Sequence, residues 1–235
     1  MGANLPNADL KGTDLTGADL THANLMGANL KNADLTHANL SNAKLGDADL
    51  RGADLPNAKL WYAKLVNAKL MNAKLANADL AHADLSNVYL WNADLKNADL
   101  TNANLSNAHL GDADLEGANL KNANLRNAYL RHTNLGDANL NNTDLSNANL
   151  GSAFLRDANL SNAILTNADL SFAYLTNANL KRANLTRTNL TKANLAETSI
   201  TQAALDVACV ETMYPPRNLP KELTWHINRC PPPIE

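Results

Sequence analysis

Leucine stands at every fifth position from Leu5 through Leu195, and Ile200, Leu205 and Val210 keep the same register. Two places before each of them the chain carries alanine, from Ala3 to Ala208, except at Thr13, Val88, Thr133, Thr143, Thr188 and Thr198. Asp or Asn fills most positions in between, and Asn is the commonest residue two places after the leucine. Neither regular structure can bury such a set. Five residues of α-helix advance about 500°, so the leucines would wander round the axis. Five is odd, so in a flat strand they would alternate between faces. A chain that turns through a constant angle every five residues points every leucine at one axis.

A turn of about 90° closes a square after four pentapeptides, and the fifth then stacks on the first at the ~4.8 Å strand spacing. Asn and Asp suit a corner in every repeat, because they tolerate unusual backbone angles and bond their own main chain. Stretches such as ANLKNADLTHANL, residues 28–40, resemble the A(D/N)LXX motif of the pentapeptide-repeat family. The resemblance runs from residue 1 to about 210 without a looped-out insertion. It implies an all-β fold, a right-handed quadrilateral parallel β-helix: a solenoid with four pentapeptides per coil and about ten coils over residues 1–210. The motif describes the interior and corners of the coil and names no site.

Periodicity stops near Val210, and six of the eight prolines lie beyond it, so residues 211–235 cannot continue the ladder. A solenoid needs its last coil covered. Met213, Tyr214, Leu219, Leu223, Trp225 and Ile227 can form such a cap, with about two turns of helix over KELTWHIN, residues 221–228. A bridge between Cys209 and Cys230 would tie this tail to the rod and place the chain in an oxidising compartment such as the periplasm or thylakoid lumen. The other reading is a pair of free thiols in the cytoplasm. At the amino end Met1 already lies in the repeat, which leaves three readings: a homodimer through the open solenoid end, a targeting or capping segment that has been removed, or a blocking turn at Pro6.

Formal net charge is −3, against a strongly basic nucleic-acid or membrane-surface binder, and no apolar run is long enough to span a bilayer. An interior of Leu over Leu and Ala over Ala leaves no concave ligand pocket. What varies is the outside. Residues twenty apart should stack in columns, which puts Tyr89, His109 and Tyr129 in one, Phe154 and Tyr174 in another, and Asn67, Asn87, Asn107, Asn127, Asn147 and Asn167 in a third. Stacked rings and amides stabilise any such pile, and exposed aromatics also favour partner docking. Lys59, Lys64, Lys69 and Lys74 fall on four successive faces as a collar, each with an aspartate one coil away, and Trp61 and Tyr62 lie beside them. Lys181, Arg182, Arg187 and Lys192 form a second basic group with no acid among them, whereas 79–116 holds seven acids against one lysine.

No HExxH, nucleophile elbow or phosphate loop is present, and the six histidines are scattered. Paired carboxylates, Asp47 with Asp49 and Asp112 with Asp114, fall far short of the ligands calcium takes. The expected function is therefore a non-enzymatic rod-shaped scaffold that binds a protein partner, without cofactor, metal or nucleic acid. The candidate contacts are Trp61, Tyr62, Tyr89, His109, Tyr129, Lys181, Arg182, Arg187 and Lys192. The resemblance carries an alternative, a DNA mimic that binds DNA gyrase or topoisomerase. Duplex DNA presents a charge about every 1.7 Å, and a net −3 with a lysine collar imitates that poorly.

Overall fold

In the computed structural model, which describes residues 2–209, 214–225 and 229–230, the chain winds in stacked coils of twenty residues. The residue before each leucine forms a parallel bridge with its counterpart one coil on, from Asn4 with Asn24 to Asn179 with Ser199. These bridges are single residues separated by corners, so each wall of the coil is a ladder without a long strand.

The repeat accounts for its backbone donors. Leu25 N–H donates to Lys44 O of the next coil (2.7 Å), Gly27 N–H to Gly46 O (2.9 Å), and Asn24 N–H back to Ala3 O (2.8 Å). Ala28 N–H closes the corner onto Leu25 O (3.0 Å). The remaining donor belongs to the residue after the leucine, and the side chain before the leucine accepts it: Thr36 N–H donates to Asp34 Oδ1 (2.9 Å) and Ser41 N–H to Asn39 Oδ1 (3.1 Å). The expected corner role of Asn and Asp thus divides between two positions. Before the leucine they accept from the main chain. Two places after it they sit at left-handed φ, as Asn32 (54°) and Asn142 (59°) do, where their short polar side chains are tolerated.

Inside, every leucine from Leu20 to Leu195 is buried, with the alanines between them. Threonine replaces alanine without an orphaned hydroxyl, because Thr133, Thr143 and Thr188 donate to the carbonyls of Leu110, Leu120 and Leu165 at 2.7–2.8 Å. Alanine is required at most of these sites because the position faces inward close to a corner. A larger group there would displace packed leucines.

The ladder changes near its carboxyl end. Helix α1, Gln202–Asp206, starts at Thr201, whose hydroxyl accepts from Ala204 N–H, and it stands where the next rung would fall. Pairing resumes at Asn189 with Cys209 and at Asn194 with Arg217. Leu219, Leu223 and Trp225 pack on the leucine core as the expected cap. The helix expected at 221–228 is not formed over its described part: 221–222 are a turn and 223–225 are irregular. Gln202 causes this by pairing with the Thr224 backbone, Nε2 to the carbonyl at 2.9 Å and Oε1 from the N–H at 3.0 Å, which holds the segment open. Val210, Met213 and 226–228, including Ile227, lie outside the described residues. Cys209 and Cys230 form a disulfide that joins the tail to the rung Cys209 makes with Asn189.

Candidate interaction surfaces

Stacking by columns brings the expected rings together. Tyr89, His109 and Tyr129 lie parallel within 4° at centroid spacings of 4.9 and 4.8 Å, and Phe154 lies over Tyr174 at 5.1 Å. Burial between the tyrosines lowers the His109 pKa, which favours a neutral imidazole at neutral pH. Trp91 completes the cluster and was not expected. It meets His109 edge-on at 5.5 Å and Tyr89 at 6.3 Å, and its indole leans over Gly111, where an added Cβ would stand 3.4 Å from the ring. A glycine one coil above a tryptophan was the available signal. Trp91, Asn92, His109, Tyr129, Arg131 and His132 border an open groove of about 470 Å³.

Trp61 and Tyr62 meet edge to face at 4.4 Å, and Tyr62 stacks on His82 at 4.6 Å. Above the aromatics of that corner the column continues as amides: Asn102 contacts His82 at 3.3 Å, and Asn122 and Asn142 each donate to the amide one coil earlier at 3.1 Å. The asparagine column at the next corner is bonded likewise, with Asn107, Asn127, Asn147 and Asn167 donating in turn at 3.1–3.2 Å. Asn102 to Asn142 and Asn87 to Asn167 are thus continuous amide ladders.

The lysine collar is a ring by position, but its aspartates answer it only once. Lys74 pairs with Asp54 at 2.9 Å. Asp49, the column partner of Lys69, is already held by Arg51 (2.7 Å) and Lys31 (3.2 Å), and these cations bring its pKa down to about 2. Asp79 and Asp84 turn Oδ1 to the N–H groups of Ala81 and Ser86 instead of to Lys59 and Lys64. In the second basic group, Lys181, Arg182 and Arg187 are exposed, whereas Lys192 is half-buried. Its Nζ lies 5.4 Å from the centroid of Phe172 and 4.0 Å from that of Tyr214. This lysine therefore fastens the tail to the rod. Arg182, Arg187 and Lys192 occupy three successive corners at left-handed φ, so no single face presents all of them.

Among the described residues no group of three His, Cys, Asp or Glu side chains is placed to hold a metal ion, and no helix is long and apolar enough to cross a membrane.

The family model for pentapeptide repeats matches residues 2–32, 33–72, 123–162, 143–182 and 168–206, and a second model, for a pentapeptide repeat region, matches 63–140. No curated protein matches the chain. Among solved structures, HetL, a pentapeptide repeat protein involved in heterocyst differentiation regulation from the cyanobacterium Nostoc sp. strain PCC 7120, is 38% identical. The match covers 80% of this chain and 89% of HetL, with a TM-score of 0.44. QnrB1, a plasmid-mediated fluoroquinolone resistance protein, is 16% identical over 83% of this chain and 95% of its own, with a TM-score of 0.52, a likeness of fold alone. With matches spanning nearly all of the repeat, the chain belongs to the pentapeptide-repeat family.

Proposed function

We propose that this protein is a non-enzymatic interaction rod that binds a protein partner through the wall carrying Tyr89, Trp91, His109 and Tyr129. One observation supports the reading most directly. The interior is complete without these rings, yet Trp91 and Tyr129 stand 44% and 51% exposed beside one open groove. Large exposed aromatics grouped around a shallow groove are the usual anchors of a protein interface. The coil is read as right-handed, as the family resemblance implies. The Cys209–Cys230 bridge supports an oxidising compartment.

The test is crosslinking in native cell extract, comparing the wild-type protein with Tyr129→Asn and Trp91→Ala. Asparagine already stands one coil above Tyr129 as Asn149, so the first variant keeps a ladder residue. A partner captured by the wild type and by Ile164→Asn, a change on another wall, is expected to be lost from both variants. Equal capture by all four would remove this wall as the binding surface.

A further inference from the structure

The geometry points to a second binding site, a notch on the neighbouring corner that takes a lysine or arginine side chain of a protein partner. Gly111, Tyr129 and Arg131 recur five repeats later as Gly136, Phe154 and Arg156. The later set builds a groove of about 620 Å³ bordered by Glu116, Asn134, Gly136, Asp137, Phe154 and Asp157. Although the two grooves share a plan, they differ in charge. The second has three exposed carboxylates, Glu116, Asp137 and Asp157, against the single guanidinium of Arg156.

The face of Phe154 that looks into the notch is uncovered. Asn134, one coil below in the same column, is short, and it is drawn away: its Nδ2 donates to Asp114 at 3.0 Å and its Oδ1 accepts from Gly136 N–H at 3.1 Å. Gly136 places no side chain in the gap, and its corner neighbour Arg156 turns aside to Asp157 at 2.9 Å. Phe154 is 46% exposed. A cation lodged level with Gly136 would lie one coil below the ring. The protein already makes such a contact, since Lys192 stands one coil from Phe172 with its Nζ at 5.4 Å from the centroid. That spacing falls within the ~6 Å at which a ring attracts a cation. Asp137 forms no ion pair among the described residues, and Glu116 shares Lys96 with Asp114 (3.5 and 3.1 Å), so carboxylate capacity remains for the incoming charge. An aromatic face ringed by acids complements an ammonium or guanidinium and disfavours an acidic or purely apolar segment.

The inference shares with the proposed function only the premise that the protein binds other proteins, and a purified system separates the two. The probes are a fluorescein-labelled Lys-Gly-Lys-Gly-Lys peptide and the same peptide with glutamine in place of lysine, followed by anisotropy at low salt. The lysine peptide is expected to bind saturably and the glutamine peptide not to bind. Phe154→Leu and Asp137→Asn should each weaken binding about five- to tenfold, the weight of one cation–π or charge contact. Asp137→Asn is compatible with the fold, because asparagine is the commonest residue at that left-handed corner. Asp84→Asn, which removes the same charge from another wall, and Trp91→Ala should leave the affinity unchanged. Equal binding of both peptides would show an apolar groove and overturn the proposal. An equal loss from Asp84→Asn would reduce it to net charge and overturn it too, as would full binding by Phe154→Leu. Self-association abolished by Phe154→Leu would assign the notch to a second copy of the chain, against the proposal.

Discussion

Replacing Lys64 with asparagine should stabilise the protein, although the lysine is exposed and touches nothing essential. In most repeats the residue before the leucine accepts a hydrogen bond from the N–H two places on. On the wall that carries Lys64 this bond is made by Asp84 to Ser86 (3.2 Å), Asn104 to Ser106 (3.3 Å), Asn124 to Arg126 (3.2 Å) and Asp144 to Ser146 (3.0 Å). An ammonium has donors only. The N–H groups of Trp61, Val66, Met71 and Ala76, each two residues after a collar lysine, therefore receive nothing from that side chain. Lys64 is also bridged to Lys44, a like charge one rung away. Asparagine at 64 supplies an acceptor, worth about 0.5–1.5 kcal/mol and toward the low end at an exposed site. It also relieves a repulsion of a few tenths of a kcal/mol. The sum is about 1 kcal/mol, or a rise in Tm of roughly 2–4 °C for a chain of this size.

Thermal unfolding followed by circular dichroism measures the total, and amide exchange at Val66 locates it. The reasoning requires Val66 exchange to slow in Lys64→Asn while amides two coils away are unchanged, as expected for an array whose repeats contact only their neighbours. Asn124→Lys is the reciprocal change. It removes the acceptor for Arg126 N–H and the amide bond to Asn104 (3.0 Å), and should lower stability by about 1–2 kcal/mol. An unchanged or lower Tm for Lys64→Asn with unaltered Val66 exchange would refute the account of why Asp and Asn recur before the leucine.

Two further expectations concern charge and the tail. Asp49 has its pKa depressed to about 2 by Arg51 and Lys31. Its contribution is therefore present above the unfolded value near 3.9 and fades as pH falls toward about 2. Asp49→Asn should cost roughly 1–2 kcal/mol at pH 7 after allowance for solvent screening, and the gap in Tm from wild type should close between about pH 4 and 2. A gap that persists at pH 2 would assign the loss to packing. Cys209→Ser should unfasten the tail at a cost of roughly 3 kcal/mol for a loop of this length. Amide protection should fall over 205–209 and 214–225 and hold over 60–120, whereas an even loss along the rod would contradict a local cap.

How far the fold was legible follows from the kind of information each part uses. The five-residue period is an arithmetic constraint that only a coil satisfies, and twenty-residue stacking turned it into column neighbours. Tyr89, His109 and Tyr129, then Phe154 and Tyr174, were all placed by counting, and the asparagine column came the same way. Counting stops at the backbone. It could not show that Asp79 and Asp84 spend an oxygen on the main chain, or that Arg51 and Lys31 reach Asp49 before Lys69 does. It also missed Trp91, because the tryptophan lies across columns, over the space that Gly111 leaves. The tail was least legible: KELTWHIN has a helical composition, but Gln202 from a preceding segment binds Thr224, and residues 221–225 are held otherwise.

The same division locates function. In this protein the periodic positions fold the chain, and whatever distinguishes it from another rod of the same period must lie where a column is broken. The glycines at 111 and 136 break theirs where an aromatic ring stands open in the neighbouring column. The lysine collar breaks four columns at once, one on each wall, and gains a single ion pair. A partner approaching from one side meets an aromatic notch whole but only a quarter of the collar. On the proposed reading recognition by this rod belongs to the notches, and the collar is best understood by the backbone bonds its lysines fail to make.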